Sequence, residues 1–147
     1  MRRFFVWTLA CGAVTLASCS SFERDWEQAL ELRDEDELTG AWSGRWLSDY
    51  NGHTGALRCV VRKDEDGNYY ARYRASFAKI LRFEYELPVR FQSCGGLYNF
   101  QSSANLGWLW GTHESRGEIA GSRFTAAYRA SVDHGSFELE RQTPEGR

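Results

Sequence analysis

Proline is scarce in this chain, with two residues in 147, while aromatic side chains make up 15%. Disordered stalks are poor in the groups that fill a core, so this composition excludes one and describes folded protein. Strong basicity is also missing. The net charge is −2, and a nucleic-acid partner would require a basic footprint, so none is expected. No apolar run reaches the ~20 residues that cross a bilayer. The longest, from Phe4 to Ala17, is broken by Thr8, Gly12 and Thr15. A nucleophile elbow, a Ser-His-Asp order and a glycine-rich phosphate loop are all absent. No two histidines stand at the close spacing that metal sites favour. The chain is therefore read as non-enzymatic, with no catalytic residue, metal ligand or cofactor assigned.

What is present begins with Met1-Arg2-Arg3, a short positive region ahead of the apolar run. That order fits a secretory signal. The run ends in Leu16-Ala17-Ser18-Cys19, which resembles the lipobox of bacterial lipoproteins: an aliphatic residue, two small ones, then cysteine. The small residues suit a signal peptidase cleft that admits little bulk beside the scissile bond. The resemblance implies that residues 1–18 are a signal peptide, that Cys19 carries a diacylglycerol thioether, and that its freed amine takes a further acyl chain such as palmitate. Two or three chains anchor stably, since each buried CH₂ contributes roughly 0.8 kcal/mol. Ser20 and Ser21 follow the cysteine, and serine there resembles an outer-membrane address. The expectation is an envelope lipoprotein, lipid-anchored in the outer membrane and facing the periplasm.

Of four cysteines, Cys11 leaves with the signal and Cys19 takes lipid. Cys59 and Cys94 remain, in a compartment where a disulfide persists. Both a disulfide and two free thiols are open. Strand positions favour the thiols, because Cys59 sits mid-strand, Cys94 sits in a turn, and a bridge needs Cα atoms within about 7 Å. Residues 19–39 form an acidic tether. Phe22, Trp26, Ala29, Leu30 and Arg33 fall near helical spacing, predicting a short amphipathic helix. The run Asp34-Glu35-Asp36-Glu37 reads as a solvated face.

From Gly40 the period becomes two. Eight strands are predicted, at 40–48, 54–62, 69–77, 82–92, 97–102, 112–120, 123–131 and 136–142, leaving 143–147 as a tail. Asp66-Gly67 and Gly121-Ser122 mark tight turns. Strict alternation means one packed and one wet face. A meander of eight strands with large inward residues closes most simply into an antiparallel up-and-down barrel, which also removes exposed edges. A two-sheet sandwich is the alternative. Gly44-Arg45-Trp46 on the first strand resembles the Gly-x-Trp signature of lipocalins, which implies a lipocalin-like barrel over residues 40–142. Pro88 cannot donate to a ladder, so its strand needs a bulge or a gap beside it. Trp46 is expected to be a structural residue buried in the half nearer the tether.

In a meander, loops 49–53, 78–81, 103–111 and 132–135 share the end away from Gly40. His53, His113 and His134 collect there, with Phe77, Trp108 and Trp110. These six are the candidate ligand-binding residues. The apolar loops have three readings: a lid over a filled core, the rim of a cavity for one small apolar ligand, or exposed anchors for another protein. A carboxylate pair such as Asp49 and Asp133 is brought to face across the mouth by the topology alone. The leading expectation is a binding module for a small apolar ligand at the barrel mouth, and the second is a structural or inhibitor-type lipoprotein binding an envelope protein. Because the tether joins the opposite rim, the mouth is expected to face away from the membrane.

Overall fold

A computed structural model describes residues 17–32, 36–108 and 110–144. The signal-peptide reading, the first residue of the lipobox, part of the acidic run, Leu109 and the last three residues of the tail lie outside the described residues. Among these residues one helix, α1 (Ala17–Glu31), precedes eight strands: β1 (Gly40–Ser48), β2 (Thr54–Lys63), β3 (Tyr69–Phe77), β4 (Leu81–Cys94), β5 (Leu97–Asn105), β6 (Thr112–Ala120), β7 (Arg123–Arg129) and β8 (His134–Arg141). Each strand pairs antiparallel with the next, and β8 returns to β1, with Trp46 opposite Phe137. The fold is thus a closed eight-stranded up-and-down barrel, not a sandwich.

Several strand ends depart from the sequence pattern. β5 runs on to Asn105 because Thr112, His113 and Glu114 of β6 pair with it, although its last side chains are small or polar. β7 stops at Arg129 and β8 begins at His134, these two being partners. The turn between them is 130–133, closed by Ala130 N–H donating to the Asp133 carbonyl at 2.7 Å. Asp133-His134-Gly135 is therefore only half turn. Gly135 has no side chain with which to show its alternation.

The core fills the half of the barrel nearer Gly40. Trp42, Tyr73, Phe100, Phe124 and Leu139 are fully buried there, with edge-to-face ring contacts such as Trp42–Phe124 at 5.5 Å. Residues 36–39 close this near end. Leu38 joins the core, its carbonyl accepts from Trp42 Nε1 at 3.2 Å, and Asp36 accepts from the Leu38 N–H and the Tyr69 hydroxyl. Arg141 lies over the Trp42 ring at 4.4 Å. Cys59 is buried inside the barrel, Cys94 is exposed in the near-end turn, and both are free thiols. Gly44 is required by close approach: a Cβ there would lie 1.9 Å from the Glu138 carbonyl oxygen across the β1–β8 seam.

The tether does not simply lead in from the near rim. α1 folds back along the outer wall of β1–β3. Phe22, Trp26 and Ala29, one helical face, pack on Ala41 and Val60. Arg74 and Arg72 lie over Phe22, at 4.1 and 5.5 Å, and Arg58 over Trp26 at 4.8 Å. Glu23 pairs with Arg58 and Arg74, and Asp25 with Arg72. The Ala29 carbonyl lies by Gly40 at the near rim, whereas Phe22 lies at mid-wall. The helix therefore climbs toward the far end as the chain is read backward to Ala17.

Candidate functional site: a cavity at the far end of the barrel

Inward positions in the upper half set large rings beside two alanines, Ala75 and Ala130. Ala75 and Ala130 stand where aromatic rings would close the space. The result is a cavity of about 690 Å³, walled by Trp46, Leu57, Phe77, Tyr85, Trp110, Tyr128 and Phe137. That volume lies within the ~300–1,000 Å³ range of small-molecule pockets, and the mainly apolar wall is also typical of them.

Pro88 shapes one side. The β4–β5 ladder runs from Cys94 opposite Leu97 to Val89 opposite Ser102, and ends there. β4 continues to Leu81 paired with β3 alone. Between this part of β4 and the end of β5 the wall has a gap, as a proline in the ladder demands. Arg82 through Glu86, consecutive residues, line the cavity along this free edge. Trp110 reaches from the β5–β6 loop and meets Phe83 edge-on, with ring centroids 5.2 Å apart.

The floor holds a polar group without a partner. His113 points inward from β6 and is 7% exposed. Its ring stacks on Tyr128 at 5.9 Å and tilts against Tyr85 at 5.2 Å. Its Nδ1 is buried and forms no hydrogen bond. Burial lowers the His113 pKa below its ordinary value, so the ring is neutral near pH 7. Ser115 Oγ, at the next inward position, is likewise buried and unbonded. Leaving such a group unpaired costs about 1–3 kcal/mol, so His113, which lines the cavity where Ser115 does not, favours an occupant that can form a hydrogen bond. Tyr128 is committed elsewhere: its hydroxyl donates to Asp133 Oδ2 at 2.9 Å, and Ser48 donates to Oδ1 at 2.6 Å. Burial first, and then this carboxylate, raise the Tyr128 pKa. With both oxygens of Asp133 bonded, the Asp49–Asp133 pair has one member already tied into the structure of the rim.

Four of the six sequence candidates, His53, Phe77, Trp110 and His113, line the cavity. The His53 ring packs on Phe77, 4.7 Å between centroids. Trp108 and His134 share that end of the barrel but do not line the cavity. Trp108 is 91% exposed, and His134 is exposed with its ring 6.3 Å from Tyr50. Among the described residues no three His, Cys, Asp or Glu side chains converge. Trp46 overturns its expected place. It lies late in β1, lines the mouth cavity, is half-buried, and donates from Nε1 to the Ser76 carbonyl at 3.1 Å. The buried tryptophan of the near half is Trp42. Tyr85 and Tyr128 fall on the inward-facing alternation of β4 and β7, but nothing in their spacing marks them as cavity walls. Comparison of the chain with protein-family models, curated proteins and solved structures finds no match.

Proposed function

We propose that the protein is a lipid-anchored envelope lipoprotein, held by Cys19, whose barrel binds one small molecule with an apolar body and a hydrogen-bonding group. The observation that carries the ligand is the far-end cavity: apolar walls above an unpartnered, buried His113 Nδ1. The apolar part of the ligand occupies the space between Phe77, Trp110 and Phe137, and its polar group meets His113. The anchor reading rests on the lipobox resemblance of Leu16-Ala17-Ser18-Cys19. Fatty acids and monoacylglycerols fit this description of the ligand. A thermal-shift screen with such compounds tests it. At a hundredfold excess over Kd, a ligand of the native state adds about 2.7 kcal/mol of stability, which raises Tm measurably. No shift with any apolar compound of this class contradicts the reading. The exposed Trp108 also fits a partner protein, and pull-down from an envelope extract separates that reading from the first.

A further inference from the structure

The exposed large apolar side chains of the described residues gather around the mouth. Tyr50 is 71% exposed, Ile80 83%, Trp108 91% and Val132 55%, and they come from all four far-end loops. Leu47, Leu81, Phe83 and Trp110 stand beside them, leaving Leu32 and Leu97 as the exposed large apolar residues placed elsewhere among the described residues. Ordinary surfaces scatter such residues singly, whereas a rimmed patch marks a protein or membrane contact.

α1 decides between these. Its upper part is fixed to the wall: Phe22 is fully buried beneath Arg72 and Arg74, and Glu23 pairs with Arg58 and Arg74. Cys19 precedes Phe22 by three residues in the same helix. Three residues span about 4.5 Å as helix and at most about 10 Å extended. The barrel itself stands roughly 20–25 Å tall, from strand rise and tilt. With the helix continuous from Phe22 to Cys19, Cys19 lies further up the wall than Phe22, so a lipid there sits nearer the mouth end than the near end while α1 stays helical and docked. Beside the helix, just below the rim, an outer groove is lined by Arg58, Arg74, Lys79 and Arg82 against Glu23. Arg58 and Arg74 are held there by Glu23 and Glu84, and Lys79 at the rim of the groove suits an anionic phospholipid headgroup.

We infer that the barrel stands with its mouth on the membrane, the Tyr50, Ile80, Trp108 and Val132 rim seated in the interface of a phospholipid bilayer. Tryptophan is favoured at that depth, and apolar side chains seated there add to the hold of the acyl anchor. This rests on the proposed lipidation of Cys19, and it reverses the expectation of a mouth facing away from the membrane. The cavity then opens onto the bilayer, and its ligand is a molecule dissolved there.

The chain supplies a reporter for the test. Cys94 is exposed at the near end, while Cys59 is buried. The full chain is expressed with processing, and Cys94 is labelled with the polarity-sensitive fluorophore NBD. Two further variants carry Cys94→Ser with Ile80→Cys or Tyr50→Cys, the second covering a failure of the first to fold. Each protein is reconstituted in vesicles of phosphatidylethanolamine and phosphatidylglycerol, with and without nitroxide-bearing acyl chains. Labels at 80 and 50 are expected to shift to the blue and lose fluorescence to the nitroxide lipid, and the label at 94 to do neither. Equal responses at both ends, or a response confined to 94, overturn the orientation and leave the anchor standing. A chain that fails to float with vesicles and whose Cys19 takes the thiol label overturns the anchor and the orientation together.

Discussion

Ser102 Oγ donates to the Pro88 carbonyl at 2.7 Å, and at this pair the β4–β5 ladder ends. Below it the barrel wall is continuous. Above it β4 is paired on one side only, and the cavity reaches its free edge. One proline thus divides the closed half of the barrel from the half that holds space.

The split predicts a pattern of amide exchange. Unpaired strand edges open at low free energy, whereas core ladders open only near global unfolding. In β4, amides of 82–87 directed away from β3 should exchange with solvent much faster than those of 89–94. Uniform protection along β4 would mean that the ladder continues past Pro88.

Trp42 and Trp46 should differ in their effect on stability. Trp42 is fully buried beneath Arg141, and Trp42→Ala should cost about 3–5 kcal/mol, as for other large core aromatics. Trp46 is half-buried at the mouth, and Trp46→Ala should cost about half as much, in proportion to the area it hides. Urea denaturation of both variants checks this, and a larger loss at Trp46 would contradict the placement of the core.

His113 should impose a pH dependence. Burial holds its folded pKa below the ordinary value of about 6.5. The unfolded chain then takes up this proton first as pH falls. The stability this contributes is complete above about 6.5 and is lost as pH falls toward the folded value, with a slope of at most about 1.4 kcal/mol per pH unit. Replacing the ring by His113→Phe should flatten the decline below about pH 6.5. Denaturation curves that fall equally steeply in both proteins would remove His113 from the interior.

Cys19→Ser should abolish incorporation of labelled fatty acid, because only the thiol can become the thioether. Label retained on the Cys19→Ser protein would contradict the lipobox reading of the N-terminus.

Much of the fold is written in side-chain alternation and turn residues. Phe83, Tyr85, Leu87, Val89 and Phe91 announce an inward face, and Asp66-Gly67 a hairpin. The pattern fades where the inward residues are Ala104 and Gly135, so the ends of β5 and β8 were missed there, although backbone pairing holds both. The docking of α1 was hidden for a different reason. Arg58, Arg72 and Arg74 read as a wet face, since isolated arginines usually face water, yet their guanidinium planes are what Phe22 and Trp26 pack against. Helix spacing was legible in Phe22, Trp26 and Ala29, but the wall that receives it was not. The cavity, too, depends on what neighbouring strands contribute at one height. No single strand shows that Ala75 and Ala130 leave room beside Tyr128.

That room is the central claim, and filling it is the most direct measurement. Ala75 lines the cavity and is only partly buried in the wall, so Ala75→Phe should enter empty space without the strain of overpacking a filled core. A fluorescent fatty acid titrated into the wild-type protein should show saturable binding, and Ala75→Phe should abolish it while Tm holds or rises. Absence of binding to the wild type, or binding unchanged in Ala75→Phe, would contradict a ligand in the barrel mouth.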